Sequence, residues 1–163
     1  MLIKSLSAAA AIATLTLTPM APASAETTVT DYPAGIACNF PLRVEATGSP
    51  TVNDKTFEFP DGRVRFLDAG KGSDLVFTNL DTGATYSLAG NGLANWIRVD
   101  AAGSARITVT GHTVVLYFPT DTPAGPETTL VVGREVIDVD LATFEFHRLS
   151  RTGKTTDICA ALS

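Results

Sequence analysis

Arg106 to Phe118 reads R-I-T-V-T-G-H-T-V-V-L-Y-F, two runs rich in β-branched and aromatic residues on either side of Gly111-His112. A glycine at the first position of a two-residue loop is what a type II′ turn requires, so the stretch predicts a hairpin. In that register Thr110 faces Thr113, Val109 faces Val114, Ile107 faces Leu116 and Arg106 faces Tyr117. One face then carries Ile107, Val109, Val114, Leu116 and Phe118. The other carries Arg106, Thr108, Thr110, Thr113, Val115 and Tyr117. A sheet with one apolar face seeks a core on that side and meets water on the other.

The neighbouring segments extend this pattern. Asn95 to Val99 and Ala105 to Thr110 flank Ala101-Ala102-Gly103, which fits a three-residue loop ending in a left-handed glycine. That loop pairs Val99 with Ala105 and Ile97 with Ile107, and so places Ile107 on the same apolar face as the first hairpin does. Further upstream, Asp81-Thr82-Gly83 joins Leu75–Leu80 to Ala84–Ala89, pairing Leu80 with Ala84, Thr78 with Tyr86 and Val76 with Leu88. Asp61-Gly62 favours a type I′ turn between Lys55–Pro60 and Arg63–Leu67, with Phe57 opposite Phe66 and Glu58 opposite Arg65. Cys38 to Ala46 alternates, and Pro41, which lacks an N–H, limits the start of that strand to an edge or a bulge.

Downstream, the proline-rich stretch 119–127 reads as a loop, followed by strand candidates at 128–132 and 137–141. A last hairpin across Arg151-Thr152-Gly153 places Phe146 opposite Ile158 and His147 opposite Asp157. The fold class expected is all-β, an antiparallel meander of about ten short strands. Because nearly every link reads as a tight hairpin, a barrel is slightly preferred to a two-sheet sandwich, with 119–127 as the one place for a long crossover.

The first residues, M-L-I-K-S-L-S-A-A-A-A-I-A-T-L-T-L-T-P-M-A-P-A-S-A, hold Lys4, an apolar run and Ala23-Ser24-Ala25. This is the pattern of a secretory signal peptide over 1–25, too short and wrongly flanked for a spanning helix. A single domain over 26–163 follows, with no transmembrane segment expected in the mature chain and a secreted, extracellular location implied. Export favours an oxidised pair between the two cysteines, Cys38 and Cys159. Closing a loop of about 120 residues contributes on the order of 4 to 5 kcal/mol in the chain-entropy model. With 12 Lys and Arg against 17 Asp and Glu, and no basic run, the chain lacks the concentrated positive footprint that nucleic acid requires.

C-N-F-P-L-R-V near the mature start, T-N-L-D-T-G, T-G-H-T-V and the closing T-D-I-C-A-A-L-S together resemble a group of small secreted actinobacterial proteins. That group has no assigned activity. The resemblance therefore implies export from such a bacterium, and carries over no site residue.

Among chemistry-bearing residues, His112 is expected at a turn tip. His147 facing Asp157, with Ser150 or Ser87, is the only arrangement approaching a nucleophilic site, and no G-x-S-x-G elbow supports it. Asp138 and Asp140 share a strand face near Glu135, which falls short of the six or more oxygens calcium takes. The Gly-rich pieces at 70–73 and 90–92 are not followed by a helix and read as loops rather than phosphate cradles. No cofactor is expected.

The surface to single out is the outer face of the central strands, where Trp96, Arg98, Arg106 and Tyr117 are expected to form a binding patch. Rings stack on sugars or apolar side chains, and guanidinium forks donate fixed hydrogen bonds. The function expected is that of a non-catalytic protein binding a cell-envelope component or a protein partner through this face. The alternatives are a lipocalin-like carrier of a small lipophilic ligand, with Phe57, Phe59 and Phe66 lining its lumen, and a hydrolase using His147.

Overall fold

A computed structural model describes residues 26–48, 51–60, 63–100 and 104–163. The expected signal peptide, 1–25, and the turn residues 61–62 and 101–103 lie outside the described residues. Ten strands and one short helix follow in order: β1 Thr27–Tyr32, β2 Leu42–Thr47, β3 Thr51–Glu58, β4 Val64–Lys71, β5 Asp74–Asn79, β6 Thr85–Leu88, β7 Gly92–Val99, β8 Ser104–Tyr117, β9 Glu127–Asp140, β10 Phe146–Asp157 and α1 Ile158–Ala161. All neighbouring strands pair antiparallel.

The all-β expectation holds, but the preferred barrel does not form. The strands make two open sheets, β1-β2-β5-β6 and β10-β9-β8-β7-β4-β3. The chain passes from one sheet to the other after β2, after β4 and after β6. The short links 72–73 and 89–91, read as loops of a continuous meander, carry two of these passages. Stretch 119–127 is no crossover: it joins two adjacent strands, β8 and β9.

The larger correction concerns Gly111-His112, where no turn exists. β8 runs for 14 residues through both, and β9, also 14 residues long, runs through Gly133. The last hairpin is likewise one strand, β10, with Gly153 in its interior; Ile158, expected opposite Phe146, begins α1 instead. Gly111, Gly133 and Gly153 lie side by side in register. A Cβ built on Gly111 would collide with the carbonyl oxygen of Gly92, and one on Gly133 with that of Thr152. Backbone approaches backbone along this line, which is where glycine is needed in a strand.

The line is a fold in the sheet. Ala105 and Val115 would stand roughly 33 Å apart on a straight strand. Yet they share one buried cluster with Tyr117, Val131, Ile137 and Val139. The three long strands bend back at the glycines, so that both halves of β8 and β9 enclose a core on their concave side. The Val99–Ala105 and Ile97–Ile107 pairings hold as expected, and these residues belong to this concave core. Val114, Leu116 and Phe118, expected on the same face, point the other way and pack against the small sheet.

That second core holds Leu42, Phe77, Ile158 and Leu162, all essentially without solvent contact. The Cys38–Cys159 disulfide, with Cα atoms 5.6 Å apart, ties its two ends together as expected. The Asn79 side-chain amide donates to the Leu162 carbonyl (3.0 Å) and the Thr128 hydroxyl to the Ala37 carbonyl (2.8 Å), fastening the small sheet to the large one.

Two hairpin registers slip by one residue. Phe57 lies opposite Arg65 and Glu58 opposite Val64, which removes the expected Phe57–Phe66 and Glu58–Arg65 pairs. Likewise Phe77 faces Tyr86 and Val76 faces Ser87, because the Asn79 carboxamide oxygen accepts from Asp81 N and Thr82 N and so lengthens the loop. Since strand side chains alternate with a period of two, each slip moves residues to the opposite face.

Candidate functional site

The convex face of the large sheet carries one cross-strand row: Phe57 on β3, Arg65 on β4, Arg98 on β7, Arg106 on β8, Asp138 on β9 and His147 on β10. Trp96 stands one pleat along from Arg98, on the same face. Its ring stacks on Phe57, with centroids 6.2 Å apart and an interplanar angle of 28°. Trp96 and Phe57 remain 43% and 41% exposed, an unusual degree for the largest apolar side chains. Between them and the arginines lies a shallow depression of about 200 Å³, lined by Arg65, Trp96, Ile97, Arg98, Arg106 and Thr108.

Arg106 forms a two-pronged ion pair with Asp138, at 2.6 and 2.7 Å. The hydrogen bond from Arg106 holds the Asp138 carboxyl below the usual aspartate range, and the charges of Arg106, Arg98 and His147 add to this. On the next strand pair, the Arg65 guanidinium lies 5.3 Å from the Phe59 ring centre and that of Arg63 5.5 Å. Like charges directly opposite one another on a sheet repel. Here three arginines occupy adjacent strands in one row, with Asp138 at one end of it.

Three of the four residues expected in the binding patch, Trp96, Arg98 and Arg106, therefore come together. Tyr117 does not join them. With no turn at Gly111-His112, the Arg106–Tyr117 pairing is never made, and the fold in β8 carries Tyr117 into the concave core, where it is fully buried. Val115, expected on the outer face, is buried beside it. Sequence reading missed Phe57, which the expected register put on the apolar face, and Arg65, expected exposed opposite Glu58 but brought beside Arg98 only by the pairing of β4 with the non-consecutive β7. A three-residue loop over Pro60-Asp61-Gly62 would have given the observed register.

Tyr117 belongs to a buried polar network instead, in which Glu135 Oε2 alone has no hydrogen-bond partner. Its hydroxyl donates to Glu135 Oε1 (2.7 Å), and Arg151 donates to the same oxygen through Nε (3.1 Å) and Nη2 (2.9 Å). Arg151 Nη1 also donates to Glu127 Oε1 (2.6 Å), which Thr129 and Arg148 approach as well. Both guanidinium groups lie over the Tyr117 ring, at 5.1 Å for Arg148 and 5.7 Å for Arg151. Burial raises the Tyr117 phenol well above its ordinary range, and its hydrogen bond to Glu135 raises it further. Such a phenol is a poor proton donor, and two arginines facing two glutamates make the network electrically balanced.

The remaining sequence candidates are dispersed. His147 lies opposite Asp138 rather than Asp157; Ser150 follows the bulge at Arg148, and Ser87 is on β6 of the other sheet. Asp140 does not act with Asp138: its Oδ1 accepts from Ala142 N (2.7 Å) and Thr143 N (3.2 Å). Among the described residues no group of three or more His, Cys, Asp or Glu is placed to hold a metal ion. His112 sits inside β8 rather than at a turn tip, and Phe57, Phe59 and Phe66 line no lumen.

Comparisons with protein families, with curated proteins and with solved structures give no match to this chain. Among the described residues no helix is long and apolar enough to cross a membrane.

Proposed function

We propose that this is an exported, non-catalytic binding protein that holds an anionic cell-envelope polymer against the convex face of its large sheet. The observation that carries the reading is the Arg65–Arg98–Arg106 row beside the exposed Trp96–Phe57 stack. Adjacent strands lie about 5 Å apart, so an extended polyanion crossing them meets one guanidinium per strand. The aromatic pair offers a platform for the sugar rings of such a polymer. The chain is acidic overall, with a net charge of −5. Attraction to this face therefore works against the overall charge, and it weakens as salt screens it.

Trp96 is the only tryptophan, so its fluorescence reports the site directly. Titration with purified bacterial cell walls is expected to change Trp96 emission saturably at low salt. Replacing Arg65 and Arg98 by Ala is expected to weaken co-sedimentation with the walls at least tenfold. Unchanged emission together with unchanged co-sedimentation of the double variant would remove the basis of the proposal.

A further inference from the structure

The two sheets are not packed equally along their interface. Around the disulfide, Leu42, Phe77, Ile158 and Leu162 are buried from solvent. At the margin of that core, Leu75 and Leu88 from the small sheet and Leu93, Val114 and Leu130 from the large one remain only half-buried. These five side chains line a cleft of about 310 Å³ together with Ala46.

The cleft has a built mouth. The two chain passages between the sheets meet there: Gly72 N donates to the Asn91 carbonyl (3.2 Å), and Gly90 N donates to Asp74 Oδ1 (2.6 Å). A Cβ on Gly90 would strike the Gly72 carbonyl oxygen, so the passages touch backbone to backbone. The sheets are thus held at a spacing that the leucines do not fill. Polar residues line only part of the cleft: Ser73, Asn91, His112 and, on the strand between His112 and Val114, Thr113. No carboxylate lines it.

We propose that this cleft binds a small neutral or weakly acidic lipophile, with its apolar body among the leucines and one hydroxyl or carboxyl group at His112. An apolar cavity of about 150 Å³ accepts benzene, so the volume here suits a fused bicyclic ring or a chain of similar bulk. Apolar walls with a few polar groups to fix orientation are the usual make-up of small-molecule sites. The site is separate from the convex arginine face and does not depend on the function proposed for it.

The test uses 2-naphthol, a bicyclic body with one hydroxyl, added to the ¹⁵N-labelled disulfide-bonded protein. Saturable amide shifts confined to Leu75, Leu88, Leu93, Val114 and Leu130 are expected. Val114→Phe, which fills the cleft, is expected to weaken binding at least tenfold, and Leu88→Phe on the edge strand β6 gives a second filled variant. His112→Ala is expected to weaken 2-naphthol but not 2-methylnaphthalene, which has no hydroxyl. Shifts scattered over the surface, or unaltered affinity in a folded filled variant, would overturn the site. So would a concentration-dependent dimer whose dissociation shifts these same amides, since a second copy would then be the occupant.

Discussion

Arg106–Asp138 and Arg151–Glu135 are both cross-strand arginine–carboxylate pairs of the large sheet, and they lie on its opposite sides. The first is open to solvent, with 46% of the arginine side chain and 31% of the aspartate exposed. The second is enclosed, at 16% and 0%, and carries a phenol and a second glutamate with it. The same chemistry is available for recognition in one place and is consumed by packing in the other. Which of the two an arginine serves is decided by the fold line through Gly111 and Gly133, which makes one side of the sheet concave.

The sharpest way to break this comparison is to empty the enclosed pair. Arg151→Ala leaves the Glu135 carboxylate buried with its main cationic partner gone, and is expected to destabilise the protein by about 3 to 5 kcal/mol in urea denaturation. A loss below about 1 kcal/mol would mean that the network is wet and open. Next in size, Gly111→Ala adds a side chain where φ is 114° and a backbone oxygen is in the way. At least about 2 kcal/mol of destabilisation is expected.

Acid sharpens the contrast further. Burial alone would raise the Glu127 carboxyl, but the hydrogen bonds of Arg151 and Thr129 and the charges of Arg151 and Arg148 outweigh it and lower it below its ordinary value of 4.5. The unfolded chain then takes up the proton first. The associated stability is present above about pH 4.5 and is lost as the pH falls through the lowered folded-state value. Urea midpoints measured from pH 5 downward are expected to fall for the wild type and to fall less steeply for Glu127→Gln. The smallest expected effect on stability is that of Arg106→Ala, whose urea midpoint stays with the wild type because an exposed pair adds little to folding. Its binding to cell walls is what drops.

Much of the fold was legible from period and composition. The alternation in Ile97, Val99, Ala105 and Ile107 gave the β7–β8 register correctly, and Cys38 and Cys159 gave the disulfide. The two turns that do not exist, at Gly111-His112 and at Arg151-Thr152-Gly153, were misread for a common physical reason. A glycine between β-branched runs serves a tight turn and a fold in a continuous strand equally well, and only the partner strand decides. Gly111 has Gly133 beside it and Gly133 has Gly153, an alignment that exists only once the long strands are paired. Reading a turn there reversed Val114, Leu116 and Phe118 and placed Tyr117 on the wrong side. At Asp81-Thr82-Gly83 the turn is real, and the left-handed glycine was legible; the extra residue came from Asn79 capping the loop with its side chain. The convex patch was legible in Trp96, Arg98 and Arg106, which lie in the correctly read β7–β8 register, and illegible in Phe57, which lies across a slipped register, and in Arg65, whose strand meets β7 out of sequence order.

The most direct test of the account is an amide-shift map of the ¹⁵N-labelled protein during titration with a soluble anionic cell-wall polysaccharide. The account predicts saturable shifts concentrated at Phe57, Arg65, Trp96, Arg98 and Arg106, reduced by added salt, with Tyr117 and Arg151 unmoved. Shifts centred on Tyr117, Glu135 and Arg151, or no saturable shift on the convex face, would contradict it.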